Sequence, residues 1–361
     1  MPEVISTSRL LQQLPFALQK EEKNQFLLEE FDRLTKLHYE ACPEYKTLLQ
    51  KFDHQLPPYS RIEDVPFIPV RLFKHFSLLS VPREAVIKTM TSSGTSGQSV
   101  SQIYLDKDTS TLQVKVLSKI MADFIGPKRM PMLVIDSRAT VSNRYKFSAR
   151  TAGVLGFSMF GRNIEFALKD DMSLDLERIE RFLEAHREED ILIFGFTFIV
   201  WKHLVLTLEA LARHLPLQRG ILIHGGGWKQ LLSESVSNEE FKRRLTECIG
   251  ITRVHNYYGM VEQTGSIFME CERGYLHASS FSDVIIRDPI DFRPLPAKQR
   301  GLIQLLSVIP HSYPGHSLLS EDEGECEGVD NCACGRMGMY FKVHGRIRDA
   351  EVRGCSDTYS S

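Results

Sequence analysis

Apolar residues recur every three to four positions in some stretches of the chain and form short continuous runs in others. Residues 24–40 place Leu27, Phe31, Leu34 and Leu37 on one face, a spacing that predicts an amphipathic helix. Further helices are predicted over residues 107–125, 173–187, 198–214 and 229–248. Ser173 is the expected N-cap of the helix over 173–187, because its hydroxyl can accept a backbone N–H.

Short apolar runs bounded by Pro, Asp or Gly alternate with these helices. The runs are PMLVID at 131–136, DILIFGF at 190–196, GILIH at 220–224 and ITRVH at 251–255. Strands of a parallel sheet have this pattern because helices cover both faces of the sheet. The alternation predicts an α/β fold with a mostly parallel sheet, whose ligands bind in loops beyond the carboxyl ends of the strands.

The pattern changes beyond Arg273, where Gly, Pro and short β-like runs such as DVIIRD and GLIQLLSVI replace the helices. These runs indicate antiparallel or mixed β structure. We therefore expect residues 1–275 to form an α/β core and residues 276–361 to form a smaller mixed β subdomain.

Composition describes an ordinary globular protein: 361 residues, 42% hydrophobic, 25% charged and a net charge of −2. No basic field suggests nucleic-acid binding. The N-terminal segment lacks an export pattern, and no apolar run approaches the roughly 18 residues of a membrane span, so we expect a cytoplasmic protein. Its seven cysteines are then expected to be reduced, and clustered thiols become candidate metal ligands or nucleophiles.

The polar loop at the start of TSSGTSGQSVSQIYLD, residues 91–106, is the first candidate site. Gly94 and Gly97 let the backbone approach a phosphate, and a short strand-like run follows the loop. Hydroxyl donors come from Thr91, Ser92, Ser93, Thr95, Ser96 and Ser99. Neither the Walker spacing nor G-x-G-x-x-G is present. A surface linker of the same composition is the alternative.

Two further loops follow predicted strands. Gly225, Gly226 and Gly227 would let a flat ligand or a phosphate approach the backbone, although a tight strand-to-helix turn explains them equally well. The second loop, NYYGMVE at 256–262, contains Glu262, which is either a functional carboxylate or a solvated one. The aromatic run FGFTFIVW could line an acyl channel or belong to the core; its members are Phe194, Phe196, Phe198, Ile199 and Trp201.

Cysteine spacing suggests a closed zinc site. Cys271-x5-His277 and Cys332-x-Cys334 offer three thiols and one imidazole, which can close a tetrahedral structural site. Cys326 is a competing ligand, and four unrelated reduced residues are the alternative. Cys355, in EVRGCSDTY, is a different case: near Arg353 its thiolate is favoured, so it is a candidate nucleophile or an incidental tail cysteine.

The order of these motifs resembles a known superfamily. TSSGTSG, GGG, YYGMVEQTG, an acidic residue in SEDEG and an arginine in HGR occur in the order typical of adenylate-forming acyl and aryl ligases. SYPGHSLLSEDEG, CACGR and HGRIRDAEVRGCSDTY resemble, more closely, the acyl-protein synthetases of the bacterial luciferase fatty-acid reductase system (LuxE-type). Phenylacetate-ligase-like relatives imply a related zinc arrangement.

The resemblance implies a role for each motif residue. Thr91 to Gly97 would hold the β- and γ-phosphates of ATP, Gly225 to Gly227 would line the adenine pocket, and Tyr258 would stack on the base. Glu262 would hold Mg²⁺, Asp322 would accept the ribose hydroxyls and Arg346 would contact the ribose or phosphates. Cys355 would accept the acyl group. Without the resemblance, Asp322 would not stand out from Glu321 and Glu323, and surface charge is the plainer reading of Asp322 and Arg346.

The resemblance implies a fold and a reaction. We expect the N-terminal-type fold of adenylate-forming ligases, ATP-dependent activation of a long-chain fatty acid, acyl transfer to a protein cysteine, and a reductase partner. Most superfamily members continue into a mobile domain carrying a lysine that assists adenylation; that domain is expected to be lacking, and no residue here takes the lysine's role. The alternatives are a ligase that uses coenzyme A or a carrier protein, and an inactive nucleotide-binding scaffold.

Overall fold

A computed structural model describes residues 9–92, 100–142, 149–228 and 235–346 of the chain. These residues divide into two compact units. Unit one comprises residues 9–92, 100–123 and 259–346, and unit two comprises residues 124–142, 149–228 and 235–258. The predicted border between residues 275 and 276 falls inside unit one and stays a prediction of domain organisation.

The strands are numbered in chain order. They are β1 Ile68–Pro69, β2 Lys88–Thr91, β3 Gln102–Leu105, β4 Met130–Ser137, β5 Gly161–Leu168, β6 Ile191–Phe196, β7 Gly220–Gly225, β8 Arg253–Tyr258, β9 Phe268–Glu270, β10 Leu276–His277, β11 Ser282–Arg287, β12 Arg300–Ser307, β13 Ser317–Val329 and β14 Met339–Arg346. The four apolar runs that were predicted to be strands correspond to β4, β6, β7 and β8, so those predictions are confirmed.

The α-helices of the described residues are Lys20–Ala41, Pro43–Lys51, Lys107–Ile125, Ala139–Ser142, Ala149–Ser158, Leu176–Ala185, Thr197–Ile199, Leu206–Ala210 and Asn238–Ile249. Short 3-10 helices cover Ile62–Asp64, Val70–Lys74, Arg83–Ala85 and Val261–Gln263. None of the helices that the structure describes combines the length and apolarity needed to cross a lipid bilayer.

Unit two contains a five-stranded parallel sheet in the order β8-β7-β6-β4-β5. Every residue of β4, β6 and β7 is buried, as their unbroken apolar runs predict. Helices Leu176–Ala185 and Asn238–Ile249 each follow a strand of this sheet. The predicted α/β class with a mainly parallel sheet is therefore confirmed.

Three helix predictions in unit two need correction. The helix expected over 229–248 begins at Asn238, and residues 229–234 lie outside the described residues. Asp175, not Ser173, caps the helix Leu176–Ala185, because the Asp175 carboxylate accepts the Arg178 N–H while the Ser173 hydroxyl donates to Asp171. The helix expected over 198–214 ends at Ala210 and is a π-helix from Val200 to Val205. Side-chain spacing cannot distinguish these variants, since they differ in backbone hydrogen bonding.

The aromatic run that was a candidate acyl channel divides between two clusters in unit two. Phe194 stacks on Phe157 with ring centroids 4.4 Å apart, whereas Trp201 packs against Trp228 and Phe241. Except for the half-buried Phe198, the residues of the run are buried. A channel lined by the run stays a prediction.

Unit one contains antiparallel strands in the order β11-β12-β13-β14-β10-β9, with β1 parallel to β13. The antiparallel pairing confirms the change of pattern beyond Arg273. A separate antiparallel pair joins β2 to β3. The helix Lys20–Ala41 buries Leu27, Phe31 and Leu34 completely, as its spacing predicts.

Candidate active site

The two ends of the predicted phosphate loop are hydrogen-bonded to each other in unit one. Thr91 pairs with Gln102 in the β2–β3 ladder. The Ser92 N–H donates to the Ser101 carbonyl at 3.2 Å, and the Ser101 N–H donates to the Ser92 Oγ at 2.9 Å. Thr91 and Ser92 therefore lie at the base of the loop. Ser93, Gly94, Thr95, Ser96 and Gly97 lie outside the described residues.

Glu262 lies in the 3-10 helix Val261–Gln263 and is only 6% exposed. Burial raises the pKa of its carboxyl, and the nearby Ser101 hydroxyl and the charges of Lys74 and Arg346 oppose that rise. The alternative of a solvated carboxylate is thereby wrong. Ser101 contacts both predicted site residues, because its N–H donates to the Ser92 Oγ and its hydroxyl lies beside the Glu262 carboxylate.

Asp322 and Arg346 are opposite each other on neighbouring strands. They are register partners between β13 and β14, and the Arg346 Nε lies 3.7 Å from the Asp322 Oδ1. Glu321, the preceding acidic residue, forms an ion pair with Arg71 at 2.9 Å. The charge of Arg346 also acts on Glu262, so Asp322, Arg346 and Glu262 belong to one charged group within unit one.

Ser101 and Lys74 are members of this group that the sequence analysis missed. Ser101 lies within the Ser/Thr-rich stretch, so composition offered a signal, although the motif ended at Gly97. Lys74, at the end of the 3-10 helix Val70–Lys74, belongs to no motif. Only the fold places its charge near a carboxylate 188 positions further along the chain.

The residues present fit a hard divalent cation beside Glu262. The Ser101 Oγ is completely buried beside the Glu262 carboxylate and makes no other hydrogen bond among the described residues. A buried carboxylate and the hydroxyl beside it offer two oxygen ligands, the type that Mg²⁺ prefers. A cation there would also favour the ionised form of Glu262, which burial alone disfavours.

The three glycines and Tyr258 belong to unit two. A Cβ on Gly225 would lie 2.4 Å from the Tyr257 ring, so the packing there favours glycine, whereas Gly226 has φ +79°, a backbone conformation that favours glycine. A Cβ on Gly227 would meet no atom within 4 Å, and this residue is exposed. Tyr258 is the last residue of β8 rather than part of the loop beyond it.

These two groups of predicted residues lie in different units of the chain. Unit two carries the glycines and Tyr258, whereas unit one carries Thr91, Ser92, Glu262, Asp322 and Arg346. Cys355 lies outside the described residues. The structure thus groups the predicted phosphate, metal and ribose ligands of unit one, and their assembly with unit two stays a prediction.

Cys271, His277, Cys332 and Cys334 form a second cluster in unit one. Their ligand atoms all lie within 4.8 Å of one another. The Cys271 and Cys332 sulfurs are 3.9 Å apart, and the Cys334 Sγ is 3.4 Å from the His277 Nε2. A tetrahedral zinc with bonds of about 2.3 Å to sulfur requires sulfurs about 3.8 Å apart. The donor set and its spacing therefore fit zinc.

The sheet brings these four side chains together. Cys271 and His277 flank the turn between β9 and β10, and Cys332 and Cys334 lie in the turn between β13 and β14. Backbone N–H groups of Arg273 and Arg336 point at the Cys271 and Cys334 sulfurs, at 3.4 and 3.5 Å. Cys326, the competing ligand, lies outside the cluster, and its sulfur faces the Gly328 carbonyl at 3.8 Å.

Comparison with known proteins adds a family and a fold. The family model described as acyl-protein synthetase, LuxE, matches residues 2–361. The long-chain-fatty-acid–luciferin-component ligase of Aliivibrio fischeri is 22% identical over 354 residues, covering 96% of this chain and 89% of its own. The enzyme of the same name from Vibrio harveyi is 22% identical over 310 residues, covering 82% of this chain and 77% of its own.

Solved structures share the fold. An open conformation of 2-hydroxyisobutyryl-CoA ligase, in complex with 2-HIB-AMP and CoA, has a TM-score of 0.71 at 17% identity. The match covers 98% of this chain and 82% of that one. The same ligase in its postadenylation state has a TM-score of 0.71 at 16% identity, and the match covers 97% of this chain and 72% of that one. The expected adenylate-forming ligase fold is therefore confirmed.

Proposed function

Because the chain belongs to the acyl-protein synthetase family, LuxE, we propose that it is a ligase that activates a long-chain fatty acid with ATP and transfers the acyl group to a protein cysteine. Two relatives named as long-chain-fatty-acid ligases support the substrate class. The structural observation that carries the proposal is the group of Ser92, Ser101, Glu262, Asp322 and Arg346 in unit one, since nucleotide activation needs oxygen ligands and positive charge at one place.

In the first half-reaction a carboxylate oxygen of the fatty acid bonds to the α-phosphorus of ATP. The bond from that phosphorus to the bridging oxygen of the β-phosphate breaks, and pyrophosphate leaves. Thr91 to Gly97 would contact the β- and γ-phosphates, Asp322 would accept the ribose hydroxyls and Arg346 would offset negative charge. Gly225 to Gly227 would border the adenine, with Tyr258 stacked on it.

Glu262, together with the Ser101 hydroxyl, would hold Mg²⁺. The ion supplies charge neutralisation as one anion approaches another. The protein's own contribution is the burial of both oxygen ligands, which excludes competing water.

In the second half-reaction the Cys355 thiolate attacks the acyl carbonyl, the bond to the phosphate oxygen breaks and AMP leaves. The product is a thioester, which a reductase partner would consume. Support for Cys355 comes from its sequence context, with Arg353 two positions away, and from the family.

Intact-mass measurement tests both halves of the reaction. The protein is incubated with ATP, Mg²⁺ and a panel of carboxylic acids, with and without coenzyme A. We expect the mass to rise by one acyl group without coenzyme A, and the adduct to be released by hydroxylamine. Cys355→Ser should abolish the adduct, whereas the control Ser356→Ala should retain it.

Each alternative gives a different result. Acid-dependent pyrophosphate release with an acyl product only when coenzyme A is added would indicate a coenzyme A ligase. Absence of pyrophosphate release with every acid would indicate a nucleotide-binding scaffold. A hydroxylamine-sensitive adduct on Cys355→Ser would refute the assignment of that thiol.

We also propose that Cys271, His277, Cys332 and Cys334 hold a structural zinc ion. The spacing of the four donors supports a closed tetrahedral site, which stabilises the two turns rather than taking part in the reaction. Metal analysis should find about one zinc per chain. Cys332→Ser should lower the zinc content and the melting temperature, whereas Cys326→Ser, a buried thiol outside the cluster, should retain zinc. A zinc content well below one in the unaltered protein would refute the site.

A further inference from the structure

Side-chain hydrogen bonds join the segment that carries Glu262 to strand β12 and to the loop over residues 308–316. The Tyr313 hydroxyl donates to the Glu262 carbonyl at 2.9 Å. In return, the Gln263 Nε2 donates to the Gly315 carbonyl at 2.8 Å and to the Leu305 carbonyl at 3.1 Å. Tyr313 is completely buried and Gln263 is 1% exposed, so these bonds are shielded from water.

Close packing reinforces this contact. A Cβ on Gly315 would lie 2.3 Å from the Tyr313 ring and 2.9 Å from the Glu262 carbonyl oxygen, so only glycine permits the approach. Phe73 packs edge-on against Tyr313 with ring centroids 6.0 Å apart.

The local backbone around Glu262 is a single short turn. The 3-10 helix Val261–Gln263 is three residues long, and the backbone bonds closing its turn are Gln263 N–H to Met260 at 3.2 Å and Ser266 N–H to Gln263 at 3.1 Å. One turn of 3-10 helix has weak hydrogen-bond geometry. The Tyr313 and Gln263 bonds fix the carbonyl of Glu262 and the side chain of the next residue, and so hold the backbone from which the Glu262 side chain projects.

We propose that Tyr313 and Gln263 are positioning residues that hold the Glu262 carboxylate where it binds a divalent cation. The inference rests on the proposed function insofar as that function assigns the cation to Glu262. Residues that orient a metal ligand typically change metal affinity by about 10- to 100-fold when they are replaced. A merely structural role would lower stability and leave metal affinity unchanged.

Tyr45 supplies a matched control for Tyr313. It is also a completely buried tyrosine in unit one, and its hydroxyl lies 3.4 Å from the His316 Nε2 instead of contacting the Glu262 segment. Tyr313→Phe and Tyr45→Phe each remove one buried hydroxyl and keep the ring. Gln263→Met is a second variant with a similar shape; it removes the two donor bonds and also the Oε1, which has no partner among the described residues.

Two measurements test the proposal on variants whose thermal melts show that they are folded. The first is Mn²⁺ affinity by electron paramagnetic resonance in the presence of a non-hydrolysable α,β-methylene ATP analogue. The second is the Mg²⁺ concentration that gives half-maximal fatty-acid-dependent ATP–pyrophosphate exchange. Tyr313→Phe and Gln263→Met should weaken both by about tenfold or more, whereas Tyr45→Phe should change neither.

The outcomes separate this proposal from the proposed function. Equal metal affinity in Tyr313→Phe, Gln263→Met and Tyr45→Phe would overturn the positioning role, even in an active ligase. Mn²⁺ binding by the unaltered protein no tighter than by the free nucleotide would overturn it too. A selective loss of Mn²⁺ affinity without any acid-dependent exchange in the unaltered protein would support the positioning role and refute the ligase.

Discussion

The Arg346 guanidinium and the Asp322 carboxylate lie side by side on the neighbouring strands β14 and β13, with 3.7 Å between Nε and Oδ1. Arg346 is 38% exposed and Asp322 is 18% exposed, so the pair can meet a ligand. Sequence motifs suggested the two residues separately, whereas the β13–β14 register makes them partners. A nucleotide that binds one of them therefore lies within reach of the other.

Replacing Asp322 should weaken ATP binding because its carboxylate would accept the ribose hydroxyls. Asp322→Asn is expected to raise the KM for ATP by about tenfold, the size of one charge-assisted hydrogen bond. Glu321→Gln is the control, since Glu321 forms a surface ion pair with Arg71. Steady-state kinetics of pyrophosphate release measure both variants, and equal KM values would contradict the role of Asp322.

Lys74 should control the pH dependence of the reaction through Glu262. Burial raises the pKa of Glu262, and the positive charge of Lys74 lowers it. Lys74→Met therefore raises that pKa further, so less carboxylate is ionised at a given pH. The acid limb of the pH profile of kcat/KM should move to higher pH by about half a unit.

Lys74→Arg provides the control because it retains the charge and should leave the acid limb in place. A profile that moves equally in both variants would show that the charge is not the cause. Movement toward lower pH in Lys74→Met would contradict the direction expected from removing a positive charge.

Two stacked histidines should make unit one sensitive to acid. His38 and His316 are completely buried, with ring centroids 5.0 Å apart. Burial lowers the pKa of His316 to about 3 and lowers that of His38 well below its usual value. The unfolded chain takes up protons near pH 6.5 and the folded protein does not, so stability is lost as the pH falls below about 6.5.

Below pH 6.5, each histidine lowers the free energy of unfolding by up to about 1.4 kcal/mol for each unit by which the pH falls. Well above pH 6.5 it makes no pH-dependent contribution. Urea denaturation between pH 7.5 and 5.5 measures the slope. His316→Gln should reduce it by one histidine's share, whereas the exposed control His214→Gln should not change it. An unchanged slope in His316→Gln would contradict the assignment.

Adjacent glycines in unit two should respond differently to alanine. Gly226 has φ +79° and a Cβ there would lie 3.1 Å from the Phe196 ring, so Gly226→Ala should cost about 1–2 kcal/mol of unfolding free energy. Gly227→Ala meets open space and should melt like the unaltered protein.

If Gly227 borders adenine, its alanine variant should raise the KM for ATP without changing Tm; an unchanged KM would argue against that contact.

The regular elements of the fold could be predicted from local pattern. The helix Lys107–Ile125 and the strands β4, β6 and β7 lie where their apolar residues place them, because the period of hydrophobic positions reports burial directly. The N-cap of Leu176–Ala185 could not be predicted as reliably. Ser173 and Asp175 are both capping residues, and the hydrogen bond from Ser173 to Asp171 decided between them.

The candidate site was predictable in its residue types and less so in its arrangement. The motifs identified Glu262, Asp322 and Arg346, but Glu321 and Glu323 have the same chemistry as Asp322. The strand register selects among them, since Glu321 meets Arg71 and Asp322 meets Arg346. Lys74 lies outside every motif and carried no signal. Tyr313 lies in the motif SYPGHSLLSEDEG, but the local sequence does not show that its hydroxyl meets the Glu262 carbonyl.

The sequence by itself determined the class of fold, the order of its elements and the chemical groups available to the proposed reaction. These depend on neighbouring residues, whose spacing is printed in the chain. Only the tertiary structure decided that Ser101 lies beside Glu262 and that Tyr313, 51 residues further along, donates to the Glu262 carbonyl. Such contacts depend on the pairing of distant strands and on the burial that excludes water, and neither is written in any local pattern.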